Sequence, residues 1–223
     1  MNGKQIVTTS DVRVEELLLK APHKGPFKAL GAVINNRLEG LYYHVKSPAD
    51  IETIDFTERE GMDIYRRTAS IILYAALAEI APHARLVVGQ SISNGYFFEV
   101  HEHEVDSTFI EILEKQMKEI VEADLPIEPE WVPVEDALEI FAKHKTPGSM
   151  MKLWRQLRRS EIPLVSLGKY RGCANGPLAA NTGLVDLFRL LSYEHGIILM
   201  FPDEGGKLAT KVSPQPTLFS TYL

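Results

Sequence analysis

The chain has 223 residues, of which 45% are hydrophobic and 24% are charged, and its formal net charge is −6. These values are typical of globular proteins, exclude a disordered or fibrous chain, and argue against a uniformly basic nucleic-acid-binding surface. The length predicts one large or two small domains. The single cysteine, Cys173, excludes an internal disulfide. The sequence shows no secretory signal and no apolar run of about 20 residues, so we expect a cytoplasmic protein that does not cross a membrane.

The first fifty residues predict a small α+β unit. Residues 4–8 are strand-like, a short helix is expected near Val14, and two short strands meet at Asn35 and Asn36. Asparagine tolerates the left-handed backbone conformation that a tight hairpin requires. We therefore assign residues 1–55 to this first unit.

A long helix is predicted to open the second unit, residues 56–210. Thr57 and Glu60 have the spacing of a capping box, and apolar residues follow at helical spacing from Ile64 to Ile80. The next segment, HARLVVGQSISNGYFFEV, predicts two strands joined by an Asn-Gly turn.

Further helices and strands are predicted beyond this hairpin. Residues 108–123 form an amphipathic pattern with Ser107 as its cap, and two shorter helices flank Thr146-Pro147-Gly148. Strands are expected in PLVSLGKYRGC and on both sides of His195-Gly196. Residues 211–223 contain two prolines and are interpreted as a linker towards a further domain.

The order of these segments resembles the N-terminal region of threonyl-tRNA synthetases. The matching stretches are DFTEREGMDIYRRTASIILYAALAEIAPHARLVVGQSISNGYFFEV, FIEILEKQMKEIVEADLPI, YRGCANGPLAANTG and FRLLSYEHG. In that family a small ubiquitin-like TGS domain precedes a second additional domain that edits mischarged tRNA. The resemblance implies an α+β fold, in which a truncated TGS unit precedes an editing-like domain with an antiparallel sheet and covering helices.

The residues that carry the family's chemistry are replaced in this chain. The family pattern has a His-x-x-x-His pair on the opening helix and a Cys-x-x-x-His pair around the Gly-Pro of a later loop. Counting from Pro82-His83 and from Gly176-Pro177 places these four positions at Arg67, Ile71, Ala174 and Leu178, with Cys173 one residue out of register. Arginine stays protonated and the three apolar side chains can only pack. The resemblance thus implies a scaffold that has lost its editing residues.

The same pair of domains is also similar to the N-terminal half of uridine-kinase-like nucleoside kinases. The stretches VVGQSISNGYFFEV and GPLAANTGLVDLFRLLSYEHGIILMFP carry this second resemblance. It implies a downstream kinase domain as the partner, with ATP and magnesium bound only there. The chain itself has no G-x-x-x-x-G-K-[ST] sequence, so we expect no cofactor in it.

The candidate ligand-binding residues come from the two loops that border the cleft in the family. They are Arg67, Asn94, Tyr96, Tyr170, Arg171, Cys173 and Asn175. Structural roles without ligand binding remain as alternatives for several of them. Arg67 could be solvated, the asparagines could form turns, and Cys173 could be a half-buried, unreactive thiol.

A local basic cluster supplies a second candidate site. Arg155, Arg158 and Arg159 lie at helical spacing and could contact phosphates of RNA or of a nucleotide, although a solvated helix face is the alternative. His101 and His103 could share one face of a strand end, but no third ligand is visible, so no metal site is predicted.

Three functions remain open from the sequence. The first is a non-catalytic accessory region of a uridine-kinase-like phosphotransferase that binds RNA or a small ligand. The second is an editing hydrolase that acts on aminoacyl-tRNA through Cys173 and water. The third is a protein-interaction module. The lost histidines favour the first and third over the second, and the linker-like C-terminus favours the first.

Overall fold

The computed structural model describes residues 6–7, 11–143 and 160–212, and it is an α+β structure with antiparallel sheets and covering helices, which confirms the predicted fold class. In chain order the elements are β1 (Val12–Arg13), α1 (Val14–Lys20), β2 (Gly31–Ile34), β3 (Arg37–Gly40), β4 (His44–Val45), β5 (Ile51–Ile54), α2 (Arg59–Ile80), β6 (Arg85–Ile92), β7 (Gly95–His101), α3 (Ser107–Glu122), β8 (Glu130–Pro133), α4 (Val134–Lys143), β9 (Glu161–Leu167), β10 (Tyr170–Cys173), a short 3-10 turn (Thr182–Leu184), β11 (Arg189–Tyr193) and β12 (Gly196–Met200).

The first part of the chain forms a three-stranded sheet in which β2 pairs with β3 on one side and with β5 on the other. The β2–β3 turn is the predicted one, because Asn35 and Asn36 adopt left-handed φ angles of 46° and 65°. The helix predicted near Val14 is present as α1. Of the strand predicted over residues 4–8, only residues 6 and 7 are described, and neither lies in a strand.

A four-stranded sheet in the order β11-β12-β7-β6 forms the centre of the larger part, and helices α2 and α3 pack together beside it. The predicted Asn-Gly turn between β6 and β7 is displaced by one residue, because Ser93 and Asn94 form the turn and Ser93 has a φ of 53°. Gly95 instead begins β7. A Cβ on it would lie 2.8 Å from the carbonyl oxygen of Leu199, so the glycine allows the close approach of β12.

The start of α2 differs from the predicted capping box. The helix begins at Arg59, and the carboxylate of Asp55 accepts hydrogen bonds from the backbone N–H and the hydroxyl of Thr57, at 2.8 and 2.6 Å. The backbone N–H of Asp55 in turn donates to Glu58 at 2.9 Å. The helix therefore has Glu58 at its N-cap, with no side-chain cap hydrogen bond, in place of the predicted Thr57–Glu60 capping box.

The predicted C-terminal end of α3 is close to the observed one, since the helix ends at Glu122. The residue that caps its N-terminus is Asp106 and not Ser107. The Asp106 carboxylate accepts from the backbone N–H of Phe109 at 2.6 Å, which the shorter serine side chain one residue later does not do.

A separate three-stranded sheet, β10-β9-β8, packs with α4. The predicted helix after Thr146-Pro147-Gly148 lies outside the described residues, as does most of the predicted linker 211–223.

One large hydrophobic cluster joins the two predicted units. It contains Leu30 and Ile54 from the first unit together with Ile64, Ile72 and many residues of the larger unit. A smaller cluster around Val14 and Ala32 lies under α1. The boundary at residue 55 stays a prediction. Within the described ranges, no helix combines the length and apolar character that crossing a membrane requires.

Candidate functional site

Helix α2 places two consecutive arginines at a junction of several elements. Arg66 and Arg67 follow Asp63 by three and four residues, so Asp63 lies one turn before them on the helix. Both arginines are half-buried, and each has one side-chain nitrogen that is buried and has no hydrogen-bond partner among the described residues. Such donors are rare in folded proteins, so each needs a physical explanation.

Arg67 is fixed against the loop that follows β10. Its Nε donates to the carbonyl oxygen of Pro177 at 3.0 Å, whereas its Nη2 is the nitrogen that is buried without a partner in the described part of the chain. Gly176 lies over the guanidinium with a φ of 126°, and a Cβ there would be only 3.2 Å from Cζ of Arg67. Burial lowers the pKa of Arg67, and the Asp63 carboxylate offsets part of this effect. An arginine remains charged under such conditions, so Arg67 presents a fixed cation.

The same loop is also held by the first part of the chain and by the interior of α2. The hydroxyl of Tyr42 accepts from the backbone N–H of Leu178 at 3.4 Å, and burial raises the pKa of Tyr42. One residue further, the N–H of Ala179 donates to the buried hydroxyl of Thr68 at 2.9 Å. The backbone around Arg67 is therefore anchored from two directions.

Arg66 faces the β6–β7 turn and the aromatic end of β12. Its Nη2 donates to the Asn94 side-chain oxygen at 2.8 Å, and its guanidinium lies 5.8 Å from the ring centre of Tyr96 and 5.5 Å from that of Phe201. Asn94 donates onward to the carbonyl oxygens of Phe201 and Pro202, at 3.1 and 2.7 Å. Asn94 thus ties the turn to the chain after β12.

A cavity of about 730 Å³ opens beside Arg66. Its lining combines both signs of charge with apolar groups and includes Phe56, Thr57, Glu58, Arg59, Met62, Asp63, Arg66, Asn94, Pro202, Asp203, Glu204 and Gly205. The site therefore has a cationic wall on α2 and an acidic rim after β12.

The predicted site residues fall into two groups. Arg67, Asn94 and Tyr96 gather around the two arginines of α2, where Tyr96 contributes to the electrostatic environment of Arg67. The other four, Tyr170, Arg171, Cys173 and Asn175, lie on β10 and directly after it. Pro177, two residues beyond Asn175, connects the second group to Arg67.

The residues on β10 are occupied by contacts within the fold. Tyr170 stacks on Tyr74 with ring centres 5.5 Å apart, and burial raises the pKa of Tyr170 and raises that of Tyr74 to about 12. Arg171 donates to the carbonyl oxygens of Gly168 and Tyr170, both at 2.7 Å. Cys173 packs against the apolar cluster around Phe141 on α4.

Three of the four positions at which the family carries reactive groups are part of the main hydrophobic cluster. Ile71 is 6% exposed, Ala174 is 4% exposed and Leu178 is fully buried. Among the residues that the structure describes, no three His, Cys, Asp or Glu side chains are grouped to hold a metal ion. His101 pairs with Glu99 and His103 stacks on Phe109, so the two histidines have different neighbours. The predicted phosphate contacts Arg155, Arg158 and Arg159 lie outside the described residues.

Sequence reasoning did not single out Arg66, Asp63 or Tyr42 as site residues. The adjacent pair Arg66-Arg67 in an otherwise apolar helix was a usable signal, since two charged side chains in the middle of a core helix need partners. Tyr42 could not have been found in this way, because only the packing of the first unit against the Leu178 loop brings it near.

Comparison with known proteins relates the chain to threonine–tRNA ligases. It is 30% identical over 196 residues to the Clostridium tetani ligase, which covers 86% of this chain and 30% of the ligase. The Clostridium kluyveri ligase is 28% identical with the same coverage, and the Acetivibrio thermocellus ligase is 29% identical over 74% of this chain and 26% of the ligase. The chain therefore spans less than a third of the length of these relatives. No protein-family model matches it.

These relatives confirm the resemblance to threonyl-tRNA synthetases and correct the second resemblance. The predicted uridine-kinase parent is wrong, together with the kinase and transferase assignments and the downstream kinase domain as partner, because the similar proteins are threonine–tRNA ligases. The expected binding of ATP and magnesium outside this chain stays a prediction. The absence of a cofactor from this chain stays a prediction.

Proposed function

We propose that this chain is a threonyl-tRNA synthetase-type, editing-like domain that binds the aminoacylated 3′ end of tRNA without hydrolysing the ester. The ligand class is taken from the relatives, which are threonine–tRNA ligases. The observation that carries the proposal is Arg67, a half-buried cation at the position of the family's first helix histidine, whose buried Nη2 has no acceptor within residues 6–7, 11–143 and 160–212.

Arg67 suits an oxygen-rich, anionic ligand. A guanidinium has five N–H donors and no acceptor, and its hydrogen bonds to charged oxygens are about twice as strong as neutral ones. The bond from Nε to Pro177 occupies one of these donors, and the buried Nη2 has no acceptor among the described residues. In this proposal a phosphate of the terminal nucleotides, or the ester carbonyl, binds the guanidinium of Arg67.

The lack of hydrolysis follows from the side chains around Arg67. Ester hydrolysis at neutral pH needs a group that accepts a proton from water or from a nucleophile, and a guanidinium cannot do so. Ile71, Ala174 and Leu178 are apolar and buried, so they bind no metal and transfer no proton. Cys173 packs against the α4 cluster.

The test uses tRNA minihelices that end in CCA, either uncharged or charged with threonine or serine, in a fluorescence anisotropy titration. We expect the wild-type chain to bind the charged minihelices and Arg67→Gln to bind them at least about tenfold more weakly, which corresponds to about 1.4 kcal/mol. Arg85→Gln is the matched control, because Arg85 is an exposed arginine at the start of β6. Binding should weaken as salt rises, since phosphate contacts release counterions.

A deacylation assay with the same charged minihelices separates binding from hydrolysis. We expect the ester to decay at its spontaneous rate in the presence of the chain. Accelerated decay that disappears in Cys173→Ala would instead support the editing-hydrolase function. Equal binding by wild type and Arg67→Gln would overturn the assignment of the site.

A further inference from the structure

Three polar side chains are connected by hydrogen bonds in the first part of the protein. The hydroxyl of Thr53 on β5 is 2.8 Å from Nδ1 of His23, and Nε2 of His23 is 3.1 Å from a carboxylate oxygen of Asp55. The Asp55 side chain is fully buried and the His23 side chain is 11% exposed. A hydroxyl, an imidazole and a buried carboxylate are thus connected in sequence.

The charge on Asp55 fixes where the protons lie. Burial opposes ionisation of this carboxyl group, but hydrogen bonds from Thr57, His23 and the backbone of Phe27 outweigh that effect and lower its pKa to about 2. A carboxylate can only accept, so Nε2 of His23 is the donor to Asp55. In the neutral imidazole the other nitrogen then has a free lone pair. In that neutral form the Thr53 hydroxyl donates a hydrogen bond to Nδ1, which is the direction that general-base activation requires.

Gly25 makes the contact between imidazole and carboxylate possible. A Cβ on this residue would lie 2.2 Å from both Nε2 of His23 and the bound oxygen of Asp55. Any side chain at position 25 would therefore separate the two groups. The glycine packs over them and shields their hydrogen bond from water, which strengthens it.

A groove opens beside this triad. Its volume is about 1420 Å³, and both Thr53 and His23 lie on its wall. Its apolar lining includes Val14, Leu17, Leu18, Val45, Ala49 and Ile51. Such a surface accommodates an apolar chain, with the hydroxyl of Thr53 at its edge.

We infer that Thr53, His23 and Asp55 form a nucleophile, base and orienting carboxylate that cleave an ester of an apolar carboxylic acid bound in the groove. Each role follows from the contacts described above: Thr53 attacks, His23 transfers the proton, and Asp55 holds the required tautomer of His23. This inference does not depend on the tRNA-binding proposal, because Thr53, His23 and Asp55 do not line the cavity beside Arg66, which shares only Glu58 with the groove.

The reaction balances with water as the only co-reactant. Oγ1 of Thr53 attacks the ester carbonyl carbon while its proton moves to Nδ1 of His23. The bond from the carbonyl carbon to the leaving oxygen then breaks, and His23 returns the proton to the leaving alcohol. Water attacks the acyl-Thr53 ester, His23 takes the water proton, and Thr53 leaves as the hydroxyl after recovering it. The products are the acid and the alcohol.

The test measures p-nitrophenyl butyrate and octanoate cleavage by the full chain, with intact-protein mass spectrometry to detect an acyl adduct. We expect turnover above the spontaneous rate, faster cleavage of the longer ester, and an adduct that peptide mapping assigns to Thr53. Thr53→Val and His23→Gln should each lower the rate by roughly 100-fold or more, the usual contribution of a general base. Thr108→Val is the control, because Thr108 is exposed on α3.

Thr53→Ser keeps the hydroxyl and guards against a folding artefact, so it should retain both cleavage and the adduct. A merely structural role for the three residues would change thermal stability in the variants but leave the wild-type chain without ester cleavage. Absence of turnover in the wild type, or equal rates in wild type and Thr53→Val, would overturn the inference. Neither result bears on tRNA binding, which is measured separately.

Discussion

The hydroxyl of Thr68 accepts a hydrogen bond from the backbone N–H of Ala179 at 2.9 Å while donating to the carbonyl oxygen of Ile64 at 2.8 Å. Thr68 is fully buried. Thr68 therefore helps to fix the backbone of the loop that carries Gly176 and Pro177, together with Arg67 and Tyr42. The position of that loop against Arg67 depends on this contact.

Thr68→Val should destabilise the protein by about 1–3 kcal/mol, because the buried N–H of Ala179 loses its acceptor while the side-chain volume is kept. Urea denaturation followed by circular dichroism measures the change. Ser70→Ala is the matched control, since the Ser70 hydroxyl only donates to a carbonyl oxygen of its own helix. Similar losses in the two variants would contradict the role given to Thr68.

Tyr65→Phe should also destabilise the protein by about 1–3 kcal/mol. The buried Tyr65 hydroxyl donates to the Leu187 carbonyl oxygen at 2.9 Å and accepts from the Leu187 N–H at 2.7 Å. Both backbone groups would lose their partner. Calorimetric melting of the two proteins at neutral pH gives the difference, and an unchanged Tm would refute the prediction.

Tyr65 also makes the free energy of unfolding depend on pH in the alkaline range. Burial raises its pKa well above the ordinary value of 10.0, so the folded state holds the proton more tightly than the unfolded state. This contribution is complete below about pH 10 and is lost as the pH rises further towards the folded pKa. The free energy of unfolding should therefore fall less steeply above about pH 10 in Tyr65→Phe than in the wild type.

Asp55 makes the free energy of unfolding depend on pH in the acidic range, where stability is lost as the pH falls. Its pKa is about 2 in the folded state against an ordinary value of 3.8, so its charge stabilises the fold above about pH 4. The difference corresponds to about 2 kcal/mol, which is lost as the pH falls through about 2. Chemical denaturation between neutral pH and pH 2 should show this loss in the wild type and a weaker dependence in Asp55→Asn. Parallel curves would be inconsistent with the contacts of Asp55.

Gly61→Ala is expected to cause a larger loss than either hydroxyl deletion, of at least about 3 kcal/mol. A Cβ at position 61 would lie 1.7 Å from the backbone carbonyl oxygen of Asp55, and backbone atoms cannot move aside as a flexible side chain can. Thermal unfolding compares it with Gly205→Ala, where the nearest atom would be 3.3 Å away on a side chain. A smaller effect at Gly61 than at Gly205 would contradict this reasoning.

The sequence predicted the periodic elements well and their ends less well. The stripe from Ile64 to Ile80 located α2, and Asn35-Asn36 located a hairpin, because each depends on neighbouring residues alone. The start of α2 and the cap of α3 were misplaced, since several acidic and hydroxyl residues lay within one turn and only the folded backbone selects between them. The β6–β7 turn shifted because packing against β12 required Gly95 inside a strand.

The candidate site was predictable only in part. Arg67 could be placed by counting along the resemblance, but its contact with Pro177 depends on a loop more than a hundred residues away in the chain. The same holds for Tyr42 and for the pairing of His23 with Asp55, which join segments separated in sequence. The contacts of the candidates on β10 could not be predicted from residue type, since Tyr170 stacks on Tyr74 of α2 and Cys173 packs against the α4 cluster.

The hydrophobic cluster that includes Leu30 and Ile54 together with Ile64 has a thermodynamic consequence. Removing residues 1–55 would expose apolar surface on α2 to water, so the remaining fragment should be poorly soluble and bind hydrophobic dyes. Melting of the intact chain should accordingly proceed as one cooperative transition, with equal calorimetric and van't Hoff enthalpies. Separate melting of an N-terminal piece would mean that this shared interior contributes little.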